Sequence, residues 1–279
     1  MKILIAADME GITGVVHSDH TISSHAEYGR FRMLMTQDVN AAIRGALAAG
    51  ADEVIVSDGH GDERNILLEH LDPRAVLNSG APRPFSMVEG VDSGVDGALF
   101  IGYHARVGTP NAILDHTWSS ACVDGVWIVA ADGQWQPIGE IGLNAAVCGH
   151  FGVPVLMISG DQSACAEATA LLGPIETAVV KRAIGRTSAE CLPPRTTAEM
   201  IEQAAARAVG RLFADELPKP FVLPSPITAV IEFIRSEMAD AAMQLPGARR
   251  LEGKRVQYTA QEMPEAYRGF RALVSLARV

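Results

Sequence analysis

Short apolar runs alternate with longer segments of helical periodicity over the first two-thirds of the chain. Ile3–Ala7, Glu53–Ser57, Gly97–Gly102 and Pro154–Ser159 read as strands buried on both faces. Ala75–Ser79 and Thr177–Lys181 read as further extended segments. Between them, Arg32–Ala49 has helical spacing and stops at Gly50; Gly139–Phe151 stops at Gly152; Ser163–Leu172 follows the Pro154 strand. Val126–Ala130 and Trp135–Pro137 predict a hairpin around Asp132-Gly133. Thr196-Thr197-Ala198-Glu199 fits a capping box opening a helix that runs to about Leu217. Strands alternating with helices predict an α/β fold: a mostly parallel sheet with helices on both faces.

Pro218-Lys219-Pro220 through Pro224-Ser225-Pro226 breaks the alternation and reads as an extended connector. Beyond it, Ile227–Ile234 and Lys254–Thr259 have strand character, and Ser236–Leu245 and Pro264–Leu276 helical character. The expected organisation is an α/β domain over 1–217, followed by a smaller C-terminal α+β domain or appendage over 218–279.

Metal-capable side chains follow directly on strand ends. Asp8 and Glu10 come after Ile3–Ala7, Asp58-Gly59-His60 after Glu53–Ser57, and Tyr103-His104 after Gly97–Gly102. Glu140 follows Gly139 just after the predicted hairpin. On an extended segment, residues i and i+2 point the same way, so Asp8 and Glu10 aim at one spot. Two carboxylates that close require a cation, a proton or a donor between them. Parallel strands share one C-terminal edge, where ligands of open α/β sheets bind. Three carboxylates and two imidazoles, Asp8, Glu10, Glu140, His60 and His104, suit zinc or another divalent first-row metal. Catalytic zinc needs three protein ligands, so five candidates suggest two ions about 3.5–4 Å apart.

Each residue also has a plainer reading. His60 fits a turn, His104 a hydrogen-bonded core histidine, Glu140 an acid at a helix N-terminus, and Asp58 a turn former or a group orienting a neighbour. His17, His20 and His25 cluster in a polar segment that follows no strand, which favours a surface or substrate-facing loop. His70 and His150 sit in helical contexts and read as structural. His116 ends the loop Thr109–Asp115, shortly after His104; a loop at the ligand edge can supply a general acid or an oxyanion donor.

Composition narrows the functional classes. The 279 residues are 48% hydrophobic and carry a net charge of −10, which supports a sizeable core and argues against nucleic acid or an anionic membrane as partner. Cys122, Cys148, Cys165 and Cys191 form no Cys-x-x-Cys pair, and no apolar run approaches a membrane span. Only five apolar residues separate Lys2 from Asp8, too few for a secretory signal. A cytoplasmic setting with reduced thiols is expected.

Taken in order, Asp8-Met9-Glu10-Gly11, Ser57-Asp58-Gly59-His60, Pro84–Gly90, Gly102-Tyr103-His104-Ala105 and Gly139-Glu140-Ile141-Gly142-Leu143-Asn144 resemble the D-aminopeptidase family of zinc metallopeptidases, peptidase family M55. The likeness continues through Pro154–Asp161, Ile231-Glu232-Phe233 and Glu265-Ala266-Tyr267, nearly the whole chain. It implies an aminopeptidase with two zinc ions per subunit, held by Asp8, Glu10, His60, His104 and Glu140, and a catalytic role for His116. It also implies short peptide substrates with an N-terminal D-residue, such as D-Ala-D-Ala, and a ring-shaped homo-decamer. The chain departs from the family pattern before His116. Asn111 stands where a glycine is expected and Asp115 where a serine is, in a loop one residue longer, which leaves the carry-over onto His116 and the substrate preference open. Two other readings share these residues: a dinuclear hydrolase of non-peptide amides or phosphoesters, and a non-catalytic metal-dependent binding protein.

Overall fold

The computed structural model describes residues 1–129, 133–213 and 217–279. In chain order the strands are β1 Lys2–Ala7, β2 Glu53–Asp58, β3 Ala75–Asn78, β4 Gly97–Tyr103, β5 Val123–Val129, β6 Trp135–Pro137, β7 Val155–Asp161, β8 Glu176–Gly185, β9 Ser188–Cys191, β10 Ile227–Phe233, β11 Arg249–Arg250 and β12 Arg255–Ala260. The helices are α1 Tyr28–Ala48, α2 Glu140–His150, α3 Gln162–Leu172, α4 Pro194–Gly210, α5 Ser236–Ala242 and α6 Met263–Leu276. The predicted hairpin tip at Asp132, and the stretch carrying the predicted helix on toward Leu217, lie outside the described residues.

Seven strands form one sheet in the order β3-β2-β1-β4-β7-β8-β9, parallel throughout except for the antiparallel edge strand β9. Its strands are apolar on both faces because both are covered. Ile3, Ile5, Leu99 and Ile101 face a layer with α1 and α4 side chains, whereas Leu4, Ala6, Ala98 and Phe100 face α2 and α3. The fold is thus the expected α/β arrangement with helices on both faces.

A second, antiparallel sheet runs β11-β12-β10-β5-β6. Its central strand β10 pairs with β5 on one side and β12 on the other. This sheet therefore takes strands from both sides of residue 218. Helix α6 packs on it, and Tyr267, Phe270 and Leu273 join the core beneath α2.

Two local readings change. Helix α1 begins at Tyr28 rather than Arg32. Helix α4 begins at Pro194 without a side-chain cap, so the capping box does not form. A proline in the first turn has no N–H to satisfy and a φ already suited to the helix, so it replaces Thr196 as the start signal. Thr197 Oγ1 instead donates back to the Pro194 carbonyl at 3.0 Å and lies 2.8 Å from Thr13 Oγ1.

Candidate metal centre and active site

Strands β2, β1 and β4 are adjacent, and their C-terminal ends carry His60, Asp8 and His104. Strand β1 ends at Ala7, and residues 8–11 form a turn rather than extending the pleat. Gly11 N–H donates to the Gly102 carbonyl at 2.8 Å, and a Cβ on Gly11 would strike the Tyr103 carbonyl oxygen. That close approach folds Glu10 back over the sheet edge. The two acids converge through this turn, not through strand periodicity.

Helix α2 opens with Glu140 at its first position. Glu140 Oε1 lies 3.2 Å from His104 Nε2 and accepts the Trp118 N–H at 2.7 Å. Asp8 Oδ2 lies 3.3 Å from the same His104 nitrogen. His60 Nδ1 lies 3.4 Å from Asp8 Oδ1 and 3.1 Å from Glu10 Oε2. His116, in the loop after β4, stacks on His104 with ring centroids 4.0 Å apart. Its Nε2 is 3.8 Å from Glu140 Oε1 and 4.0 Å from Glu10 Oε1. The structure thus brings Asp8, Glu10, His60, His104, His116 and Glu140 to one place. A cavity of about 130 Å³ opens there, lined by Asp8, His60, His116, Trp118 and Glu140. A larger one, about 560 Å³, lies around Ser163 and Leu171 and touches none of the six.

The histidine tautomers follow from geometry. A carbonyl oxygen only accepts, so a ring nitrogen bonded to one must carry the proton. His60 Nε2 meets the Thr21 carbonyl at 3.0 Å, His104 Nδ1 the Ala105 carbonyl at 3.0 Å, and His116 Nδ1 the Leu114 carbonyl at 2.8 Å. Each ring therefore turns its other nitrogen toward the carboxylates. Carbonyl partners of this kind orient metal-ligating histidines. Asp8 Oδ2 and His104 Nε2 are buried and have no hydrogen-bond partner. Lone pairs facing buried carboxylates need a cation or protons between them. Two overlapping sets of donor atoms lie within reach of a single ion: Asp8, Glu10 and His104; and His104, His116 and Glu140. The donor set fits zinc.

With only protons to share, the ionisation equilibria shift strongly. Burial and the Glu10 charge push Asp8 up to about 7. Burial would raise Glu10 too, but the His60 charge and hydrogen bond hold it well below the ordinary carboxylate range. Burial opposes the charging of His60 and His104, yet Glu10 beside the first and Glu140 beside the second raise both well above the usual imidazole value. His116 moves the other way: burial and the neighbouring His104 lower it, leaving its ring neutral.

A metal has to displace these protons, so its hold on the site weakens in acid. The Asp8 shift adds a second effect. Between 3.8 and about 7 the folded metal-free protein binds more protons than the unfolded chain, so this group's contribution to stability falls as pH rises through that window. Chelation should therefore lower the melting temperature clearly at pH 8 and little at pH 5. Melting curves of the two forms across that range check this; an equal gap at both pH values would contradict it.

Residues outside the cluster hold it in shape. Asp58 accepts the Asn65 and Ile66 N–H groups at 2.6 and 2.7 Å, and Asn65 Nδ2 donates to the His60 carbonyl at 2.6 Å. Asp58 thus shapes the turn that presents His60. Lys181 has no functional signature in the sequence. It is 1% exposed, and its ammonium donates to the carbonyls of Glu10, Ile12 and Val15 at 2.6, 2.8 and 2.6 Å. Burial pushes it down to about 8. Asp38, pushed up to about 6 by burial, accepts Thr13 N–H and Oγ1 in the same segment.

The remaining histidines lie elsewhere. His17 and His25 pair with Asp19 at 3.3 and 3.5 Å, and His20 stacks on Phe31. The carbonyl of Thr21, in the same loop, meets His60 Nε2. His70 and His150 are exposed.

The loop before His116 explains its own departures. Asn111 has φ +49°. That left-handed backbone favours glycine, and asparagine tolerates it. Asp115 accepts the Gly108 N–H at 2.7 Å and pairs with Arg186 at 3.0 Å, so it ties the loop down.

Residues 1–272 match the peptidase M55 family of D-aminopeptidases. The chain belongs to that family. It is 37% identical over 278 residues to a D-aminopeptidase of Bacillus subtilis, covering 99% of this chain and 98% of that one. Its fold matches the solved structure of the Zn-dependent D-aminopeptidase DppA from Bacillus subtilis, a self-compartmentalizing protease. The TM-score is 0.94 and the identity 38%, over 100% of this chain and 99% of that chain. The matched span takes in the whole parallel sheet and every residue of the cluster at its edge.

Proposed function

We propose that this chain is a zinc-dependent aminopeptidase that hydrolyses short peptides from a free N-terminus and prefers an N-terminal D-residue, as in D-Ala-D-Ala. The observation that carries this reading is a buried cluster in which Asp8 Oδ2 and His104 Nε2 have no hydrogen-bond partner and two sets of donor atoms lie within reach of an ion, in a member of the D-aminopeptidase family. Asp8, Glu10, His60, His104 and Glu140 would hold two zinc ions. When bound, zinc supplies Lewis acidity that activates water and polarises the scissile carbonyl.

The chain's own groups do the rest. His116 is the proton carrier. Its Nδ1 proton is committed to the Leu114 carbonyl and its ring is held neutral, so Nε2 is free to take a proton. Water adds to the carbonyl carbon, its proton passes through His116 Nε2 to the leaving nitrogen, and the C–N bond breaks. Cys122, Cys148 and Cys165 are buried, and burial raises Cys148 and Cys165 to about 12, which keeps those thiols inert; Cys191, exposed on β9, does not line the cavity over the cluster.

A stereochemically paired screen tests the proposal. D-Ala-D-Ala should be cleaved with zinc and not after chelation, and L-Ala-L-Ala much more slowly. Cleavage indifferent to chelators, or aryl phosphates cleaved in preference to both dipeptides, would overturn it.

A cytoplasmic enzyme working as a ring-shaped homo-decamer belongs to the same proposal. No helix among the described residues is long and apolar enough to cross a membrane. Light scattering should give a particle ten times the subunit mass; a monomer or dimer at micromolar concentration would count against the ring.

A further inference from the structure

A second cavity, about 420 Å³, adjoins the one over the metal cluster. The two share Glu63, Trp118 and Arg278 in their walls. Arg83, Arg268, Arg271 and Arg278 all line the second cavity, against a single carboxylate, Glu63. That carboxylate is already used: it pairs with Arg83 at 2.9 Å and accepts the Ser86 hydroxyl. Among the described residues no carboxylate pairs with Arg268, Arg271 or Arg278. In a chain of net charge −10, three guanidinium groups that pair with no carboxylate, around a cavity holding only the carboxylate of Glu63, concentrate positive potential there.

Arg271 is also fixed in place. Its Nη1 donates to the Arg83 and Pro84 carbonyls at 2.9 and 3.0 Å. Its Cζ lies 5.5 Å from the Tyr267 ring and 5.9 Å from the Trp118 ring. Carbonyls and ring faces orient the group without neutralising it, and its Nε and Nη2 make no hydrogen bond among the described residues. This is a prearranged donor fork, the group best suited to a carboxylate.

Resting on the aminopeptidase reading, we infer that this cavity binds the free carboxylate of the substrate's leaving residue, so that the preferred substrates are dipeptides. The carboxylate of a dipeptide lies one residue beyond the scissile bond, and a residue spans about 3.5 Å. A carboxylate so close to the reactive carbonyl must fall in a cavity sharing a wall with the metal site. A longer peptide would place a neutral amide among the arginines.

The same chemistry is offered by a C-terminus and by an acidic side chain, and three substrates separate them: D-Ala-D-Ala, its C-terminal amide, and D-Ala-D-Glu amide. With zinc-loaded enzyme, kcat/KM for the acid should exceed that for the amide by roughly tenfold to a hundredfold. Arg271→Gln should shrink that ratio by at least about fivefold, mainly through KM for the acid. Arg278→Gln, at an exposed position, should shrink it without threatening the fold. An amide cleaved as well as the acid, or a ratio unmoved by both variants, overturns the inference. So does D-Ala-D-Glu amide matching D-Ala-D-Ala, because the cavity would then read a side chain.

If none of the three is cleaved, the peptidase reading fails, and calorimetry decides the cavity separately. The probe is D-Ala-D-Ala with its amide reduced to CH2–NH, as the acid and as the amide. Tighter binding of the acid that is lost in Arg271→Gln upholds the carboxylate site; equal binding of the two overturns it.

Discussion

Replacing Lys181 with methionine should cost about 3 kcal/mol or more of folding stability and most of the bound zinc. The side chain is fully buried, and its ammonium is the donor for three carbonyls, those of Glu10, Ile12 and Val15. A buried acceptor left without its donor costs about 1–3 kcal/mol, and methionine fills the volume without offering an N–H to any of them. Removing a buried charge returns some desolvation energy. Here that return is limited, because the amine at about 8 keeps its proton at neutral pH and makes charge-assisted bonds. The second consequence is positional. Glu10 gains its place from the turn that Lys181 ties to β8, so loosening the turn moves one carboxylate of the cluster. Urea unfolding of the metal-free protein reads the first effect, and zinc content after dialysis the second. Stability within about 0.5 kcal/mol of wild type together with full zinc content would refute this role for Lys181.

Lys181 also marks where the sequence stops being readable. Asp8, His60 and His104 stand out because each follows a run apolar enough to be a buried strand, and adjacent parallel strands deliver their ends to one edge. The parallel sheet and its two-sided helical cover were readable for the same reason: periodicity is local. Lys181 looks like an ordinary polar position in an extended segment, because its partners are backbone carbonyls more than 160 residues away in the chain. No side-chain pattern announces a carbonyl. Strand β9, Ser188–Cys191, carries no strand signal in the sequence because it is a short, largely exposed edge without apolar alternation. The pairing of β5 with β10 was equally hidden. Each segment reads as a strand alone, but which strands pair across a hundred residues depends on the packing of α6 on this sheet and against α2. The turn at Gly11 is an instructive case. Extended geometry suggested that Asp8 and Glu10 converge, and they do, through a glycine contact that strand periodicity does not contain.

His104→Ala and His116→Ala should both abolish most turnover, and for different reasons. His104 Nε2 sits between Asp8 and Glu140, unpartnered and buried, in both sets of donor atoms that surround a possible ion. Its removal leaves carboxylates facing one another without the imidazole between them, so zinc content should fall along with kcat. His116 stands at the rim, farther from the acids and stacked on His104. As the proton carrier proposed above, it should be worth about 10²–10⁴ in kcat, with zinc content close to wild type. Substrate binding should change little, because a proton transferred in the transition state contributes to kcat more than to KM. Metal analysis beside D-Ala-D-Ala kinetics on both variants separates the roles. Loss of zinc in His116→Ala would make His116 a ligand, in line with its place beside His104 and Glu140. An undiminished kcat in that variant would remove it from the mechanism and move the proton transfer to one of the carboxylates.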